Sequence, residues 1–320
     1  MRFVIYGAGA IGGVIGARLF QAGHEVILIA RGAHYEAIFT GGLTIESADA
    51  RVTLHIPVVR QPRAIAFSSE DVVLLAVKSQ DTLDALADLR EATSVETPIV
   101  CVQNGVANER FALRRFAEVQ GTCVMCPAGH LEPGVVQAHS SPVTGILDTG
   151  RYPNGVDQVT EDVVAAFQKA GFAAEARADI MRWKYSKLVM NLANAVDALC
   201  GRTTGADELG QRARREGVAC LRAAGTDFVS AEEDRARRGS LLDIRPIGGA
   251  SRGGGSTWQS LHRGTGSIES DYLNGEIVLI AREHGVTAPV NELLQRLAHD
   301  AAAAGRRPGS MRAADILALL

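Results

Sequence analysis

The chain has 320 residues, of which 47% are hydrophobic and 22% charged, with a formal net charge of −3. That length admits two domains with cores of their own, and the near-balanced charge excludes a general affinity for nucleic acid or other polyanions. Five cysteines are too few for a disulfide scaffold and odd in number, which fits a reducing cytoplasm.

In chain order, Phe3-Val4-Ile5-Tyr6 predicts a buried strand that empties into Gly7-Ala8-Gly9-Ala10-Ile11-Gly12, followed by residues of helical character. A G-x-G-x-x-G turn between a strand and a helix is a dinucleotide fingerprint. Gly7 allows the tight turn, Gly9 lets backbone approach a pyrophosphate, and Gly12 lets the helix pack close to the strand. The helix N-terminus adds free N–H groups and the positive end of a dipole. A signal peptide would also open on Arg2 and an apolar stretch, but cleavage there would remove the fingerprint.

Val26-Ile27-Leu28-Ile29 predicts the second strand, one βαβ unit further on. NAD-binding versions carry an acidic residue near this point for the ribose 2′-hydroxyl; here the sequence reads Ala30-Arg31-Gly32. With no neighbouring carboxylate to repel a 2′-phosphate, and with the planar fork of Arg31 to bind one, the expected cofactor is NADP. The alternative is an arginine that merely snorkels off a strand end.

Residues 43–45 and 52–56 predict a hairpin near the sheet edge, and residues 71–77 and 98–102 predict strands buried on both faces. Extended stretches near 135–136 and 143–147 read as antiparallel additions, with a helix over 156–170 and a closing strand over 172–176. Cys123-Val124-Met125-Cys126 is formally C-x-x-C but has no second pair for zinc, so buried strand cysteines and no metal are expected. Helical period takes over from about residue 179, across 180–199, 208–229, 272–284, 290–304 and 312–320, and no strand signal recurs. The glycine-rich stretch 246–256 reads as a loop between helices. Basic clusters around Arg214 and Arg237 are interleaved with acids and read as solvated helix faces. No apolar run is long enough to cross a membrane. The expected fold class is α/β, with an N-terminal Rossmann-type doubly wound sheet over 1–178 and an all-helical C-terminal domain over 179–320.

Ligands of doubly wound sheets bind beyond the carboxyl ends of the strands. The two buried strands end there in Lys78 and in Gln103-Asn104-Gly105. In the helical half, Lys187, Asn191 and Asn194 stand at i, i+4 and i+7, within about 60° of one another on a continuous helix. Each feature has an ordinary structural explanation: a snorkelling lysine, an Asn-Gly turn, a polar helix face.

Taken together, Gly7-Ala8-Gly9-Ala10-Ile11-Gly12, Ala76-Val77-Lys78, Gln103-Asn104-Gly105-Val106, Lys187-Leu188-Val189-Met190-Asn191-Leu192 and Glu269-Ser270-Asp271-Tyr272-Leu273-Asn274-Gly275 carry a resemblance. In this order and spacing they resemble the ketopantoate reductase (2-dehydropantoate 2-reductase) family across essentially the whole chain. The resemblance implies NADPH-dependent reduction of 2-dehydropantoate to pantoate, on the route to pantothenate and coenzyme A. It implies Lys187 as general acid, and Glu269 as the carboxylate that contacts the substrate hydroxyl or organises Lys187. Asn191 and Ser256 are implied in substrate binding; Asn194, one position before the family's second Asn, faces the same side of the helix and is expected to join them. Lys78 and Asn104 are implied at the nicotinamide and substrate end, and Arg31 at the 2′-phosphate. A lysine ammonium supplies both the proton and the positive charge that a forming alkoxide needs; burial would lower its pKa and Glu269 would oppose that fall.

The sequence departs from the family pattern around the substrate. Ala195 stands where a second Asn is implied, Ser270 alters the acidic stretch, the loop before Ser256 is rich in glycine and arginine, and Thr257 competes with Ser256 as carboxylate ligand. The expected partner is a small-molecule 2-keto acid, with another 2-keto acid or a non-catalytic NADP-sensing role as alternatives. Neither nucleic acid nor membrane is expected. Apolar helices in the second half suit a homodimer, although core packing accounts for them equally well.

Overall fold

The computed structural model describes residues 1–201, 203–250, 252–264 and 266–320. The chain forms two compact units, Met1–Lys184 with Ala231–Arg252, and Tyr185–Ser230 with Gly253–Leu320.

The first unit opens with β1 (Arg2–Tyr6), α1 (Ala10–Gln21), β2 (Glu25–Ile29) and α2 (Gly32–Gly41). Then come β3 (Leu43–Ser47), β4 (Arg51–Leu54), β5 (Val58–Val59), β6 (Asp71–Leu75), α3 (Thr82–Arg90), β7 (Ile99–Cys101) and α4 (Asn108–Leu113). The strands β8 (Val119–Met125), β9 (Ala128–Gly129), β10 (Val135–Ala138), β11 (Ser140–Pro142) and β12 (Ile146–Arg151) precede α5 (Gln158–Lys169). Among the described residues, the main sheet has seven strands in the order β12-β8-β7-β6-β1-β2-β5. Its pairs are parallel except β12 against β8. The chain winds outward from β1 in one direction through β2 and in the other through β6, so the strand order reverses beside β1, where such sheets take their ligands.

Alternation along the strands builds a core on each face. Phe3 and Ile5 join Leu28, Val72, Leu74 and Val100 on one side; Val4 and Tyr6 join Val73, Leu75, Ile99 and Cys101 on the other. Both faces are covered, which is why β6 is an unbroken buried run. Each such side chain contributes about 1.5–3 kcal/mol by leaving water.

Several expectations are corrected. The hairpin β3–β4 is not at the edge of the main sheet. It lies in a separate four-stranded sheet, β4-β3-β10-β9, while the short β5 takes the edge beside β2. Gly13 lets this second sheet approach α1, since a Cβ there would lie 2.7 Å from Val136 Cγ1. The stretch at 135–136 is therefore not an addition to the main sheet; β10 runs parallel to β3 and antiparallel to β9. The segment 172–176 is no full strand and joins β12 through isolated bridges at Ala173 and Ala176. Cys123 and Cys126 are buried and form no disulfide, as expected, but only Cys123 lies in a strand, Cys126 following the end of β8.

Beyond residue 179, α6 (Ile180–Asn191) begins in the first unit and ends in the second, followed by α7 (Asn194–Cys200) and α8 (Ala206–Ala223). The next elements, α9 (Ala231–Arg238) and β13 (Leu242–Ile244), belong to the first unit, and a strand therefore does recur in the C-terminal half. Among the interactions that hold them there, β13 pairs antiparallel with β11, and Arg237 donates to both oxygens of the buried Asp148 at 2.8 and 2.6 Å. The second unit is completed by α10 (Ser256–Arg263), α11 (Asn274–Glu283), α12 (Pro289–Ala303) and α13 (Ala313–Leu317). Gly217 on α8 permits close packing, because a Cβ there would lie 2.4 Å from Leu192 Cδ1.

Candidate active site

In the first unit the fingerprint turn has the geometry its glycines require. Gly7 has φ +102, and a Cβ on it would lie 2.8 Å from the backbone nitrogen of Val77. Gly12 is closer still to its surroundings, since a Cβ would meet Gly7 O at 2.2 Å and Ala76 Cβ at 2.8 Å. A Cβ on Gly9, by contrast, would meet nothing within 4 Å. Gly9 is the N-cap of α1, whose first turn has neither a side-chain cap nor an acidic residue. The first turn of α1 is thus an uncapped, positive helix end with open space beside Gly9, which suits the diphosphate of a dinucleotide.

Arg31 immediately follows β2 and caps α2. The expectation that no carboxylate stands beside it is corrected. Asp88, on α3, accepts from the Arg31 guanidinium at 3.1 Å and from the Tyr6 hydroxyl at 2.8 Å, while Arg31 also donates to Tyr6 Oη at 2.9 Å. Burial, with help from the Asp88 hydrogen bond, pushes the Tyr6 phenol pKa well up, so Tyr6 remains a donor.

Lys78 and Asn104 leave the sheet at matched depth, because Leu75 pairs with Cys101 and each polar residue follows three positions on. A buried network ties the two strand ends together. Gln103 Nε2 donates to Val77 O at 2.7 Å and to Thr82 Oγ1 at 2.8 Å. Asn108 Nδ2 donates to Asn104 O at 3.0 Å and to Ser79 Oγ at 3.1 Å, and its Oδ1 accepts from Thr82 at 2.9 Å. Below this network, Lys184 Nζ lies 2.6 Å from Glu109 Oε1 and donates to Gln103 O at 2.9 Å and Thr122 O at 3.2 Å. Both charged side chains are buried, so the pair holds the Gln103 carbonyl and leaves neither charge alone in a dry interior. Sequence reasoning missed Asn108, Glu109 and Lys184; the one local signal was the Asn-Glu pair closing the turn after Gln103-Asn104.

In the second unit, Lys187 is half-buried and Asn191 buried on the last turns of α6. The continuous helix expected over 180–199 breaks at Leu192 and Ala193, so the wheel position deduced for Asn194 does not hold. Asn194 instead starts α7, with its Oδ1 3.5 Å from where a Gly255 Cβ would stand, and Asp197 Oδ2 accepts from Gly255 N at 3.2 Å. This brings Asn194 to the turn that precedes Ser256, the first residue of α10. The Ser256 hydroxyl is buried with no hydrogen-bond partner among the described residues, while Thr257 is buried beside it. The α6–α7 break is secured by Asn274, whose Nδ2 donates to Leu192 O at 3.0 Å and to Asn291 Oδ1 at 2.9 Å. Glu269 is buried at the start of a short 3-10 turn. Arg263 lies near it; burial lowers that guanidinium's pKa and Glu269 partly restores it.

The residues fall into two groups. The glycine turn, Arg31, Lys78 and Asn104 belong to the first unit, and Lys187, Asn191, Asn194, Ser256 and Glu269 to the second. Among the described residues, no group of three or more His, Cys, Asp or Glu side chains is arranged to hold a metal ion, and no helix is long and apolar enough to cross a membrane.

Residues 3–153 match the family model described as ketopantoate reductase PanE/ApbA, and residues 179–302 match the model of its C-terminal part. The 2-dehydropantoate 2-reductase of Pyrococcus horikoshii is 31% identical over 306 residues, covering 93% of this chain and 96% of that protein. The crystal structure of a PanE/ApbA family ketopantoate reductase from Ralstonia eutropha JMP134 superposes with a TM-score of 0.80 at 29% identity, covering 95% of this chain and 99% of that one. A D-mandelate dehydrogenase bound to NADH and anilino(oxo)acetate shares the fold, with a TM-score of 0.80 at 23% identity over 95% of this chain and 99% of that one. By the two family models and the near-full-length relative, the chain belongs to the ketopantoate reductase PanE/ApbA family of oxidoreductases.

Proposed function

We propose that the protein reduces 2-dehydropantoate to pantoate with NADPH, the first unit holding the dinucleotide and the second supplying the acid and the substrate ligands. The observation that carries this reading is the uncapped, open N-terminus of α1 at Gly9 in a chain that retains Lys187 and Glu269. When bound, the nicotinamide supplies a hydride to the 2-keto carbon. The protein's own residues do the rest. The turn from Gly7 through Ala8, Gly9, Ala10 and Ile11 to Gly12 binds the diphosphate through backbone N–H groups, and Arg31 takes the 2′-phosphate. Lys78 and Asn104 hold the nicotinamide end. Lys187 gives its proton to the forming alkoxide and opposes the charge while it develops. Glu269 keeps Lys187 protonated or orients it, and Asn191, Asn194 and Ser256 bind the substrate. The unused Ser256 hydroxyl supports its assignment to the substrate carboxylate, because a buried donor without a partner is costly until an acceptor arrives.

A second reading, reduction of a different 2-keto acid, is supported by Ala195, a buried apolar side chain where an amide was expected. Exposed Leu279 and Val286 in the second unit suit a homodimer, and five buried cysteines without a disulfide suit the cytoplasm. Incubation with NADPH dideuterated at the nicotinamide C4 tests the chemistry, whichever face reacts: deuterium at C2 of pantoate, seen by NMR, is expected. Oxidation of the cofactor without deuterium transfer would contradict the reading.

A further inference from the structure

The environment of Arg31 points to a determinant that the local sequence does not contain. Arg31 is held by a carboxylate from another helix, 57 positions away. Asp88 Oδ2 receives both the guanidinium, at 3.1 Å, and the Tyr6 hydroxyl, at 2.8 Å, and Tyr6 Oη accepts from Arg31 at 2.9 Å. The three groups close a triangle at the ends of β1 and β2, where the ribose of a dinucleotide is read in doubly wound sheets.

This triangle acts on a 2′-phosphate and a 2′-hydroxyl with opposite sign. A phosphate must share the guanidinium with a carboxylate that already holds it, and it also meets a like charge. A hydroxyl carries no charge and can donate to a carboxylate, the interaction by which acidic residues select NAD at this point of the fold. The Arg31 and Asp88 side chains are 63% and 45% exposed, so water and salt keep both effects modest. The guanidinium also has five N–H donors, enough to serve a phosphate and Asp88 together. The result is a bias, not a block.

We propose that Asp88 is a specificity-determining residue, which tempers the preference of Arg31 for a 2′-phosphate and keeps the 2′-hydroxyl cofactor usable. This rests on the reading that Arg31 faces the ribose 2′ position.

The test is Asp88→Asn, which keeps the shape and an acceptor for Tyr6 and Arg31 and removes the charge. Calorimetric titration with 2′,5′-ADP and with 5′-ADP gives two dissociation constants whose ratio isolates the 2′-phosphate, and any loss of folded protein cancels in it. The expected result is a roughly three- to tenfold rise in preference for 2′,5′-ADP, shrinking as salt is raised. The ratio of kcat/KM for NADPH over NADH should rise in parallel. An unchanged ratio, or a shift toward 5′-ADP, would overturn the proposal. Arg31→Met separates the two levels. If it collapses the ratio while Asp88→Asn leaves it unmoved, the role of Asp88 alone fails. If it leaves the ratio intact, the reading of Arg31 fails and takes the role of Asp88 with it.

Discussion

Alanine at Gly9 and at Gly12 should have opposite consequences, because the surroundings of the two positions differ. A Cβ at Gly12 would lie 2.2 Å from Gly7 O, 2.8 Å from Ala76 Cβ and 3.0 Å from Ile5 Cγ2. The nearest of these is backbone inside the fingerprint turn, so α1 must move away from β1. Overpacking of this kind costs about 3 kcal/mol, which lowers Tm by roughly 6–12 °C for a unit of this size. At Gly9 a Cβ meets nothing within 4 Å, and the backbone is extended, with φ −73 and ψ −152, outside the left-handed region. Stability should change by less than about 1 kcal/mol, a weaker N-cap being offset by a stiffer unfolded chain. On the proposed reading, the methyl would occupy space that the diphosphate needs. Loss of one charge-assisted hydrogen bond, about 1.5–3 kcal/mol, would weaken NADPH roughly 10- to 100-fold. Differential scanning calorimetry and cofactor titration on each variant give the four numbers required. Gly9→Ala binding NADPH within twofold of the wild type would refute the assignment of this turn to the diphosphate. A Gly12→Ala protein as stable as the parent would refute the packing argument.

Three further outcomes are expected. Lys187→Ala should lower kcat by about 10²- to 10⁴-fold while the NADPH dissociation constant stays near that of the wild type; unaltered turnover would remove Lys187 as the proton donor. Lys184→Met leaves Glu109 charged and alone in the interior and should cost about 3–5 kcal/mol in urea unfolding, most of it recovered when Glu109→Met is added; if the second change deepens the loss, the pair is not the source. Burial pushes the Cys126 thiol up to about 12. The native protein should therefore resist thiol-specific reagents at about pH 8 and react after denaturation, and rapid labelling of Cys126 in the native state would contradict its burial.

How much of this was legible in the sequence follows from how local each feature is. The fingerprint turn was readable because every glycine answers to neighbours close in the chain or to the strand it joins. Continuous apolar runs were enough for β6 and β7, whose burial on both faces leaves nothing else to specify. Asp88 was invisible because it reaches Arg31 through tertiary structure, from α3, 57 positions along the chain. The break between α6 and α7 falls at Leu192-Ala193, with no glycine or proline to announce it, and its carbonyl is satisfied by Asn274 from far along the chain. β13 escaped notice because it is short and partly exposed, so it has neither period nor hydrophobicity, only a partner in β11. The hairpin β3–β4 was readable as a hairpin, whereas its sheet depends on the pairing of β3 with β10, far along the chain.

Initial rates of NADPH oxidation with ketopantoate, 2-ketoisovalerate and pyruvate test the central claim most directly. The account predicts that ketopantoate has the highest kcat/KM, at or above about 10⁴ M⁻¹s⁻¹, with the smaller keto acids well below it. Equal rates on all three, or a preference for another member of the panel, would contradict the assignment of ketopantoate as the substrate.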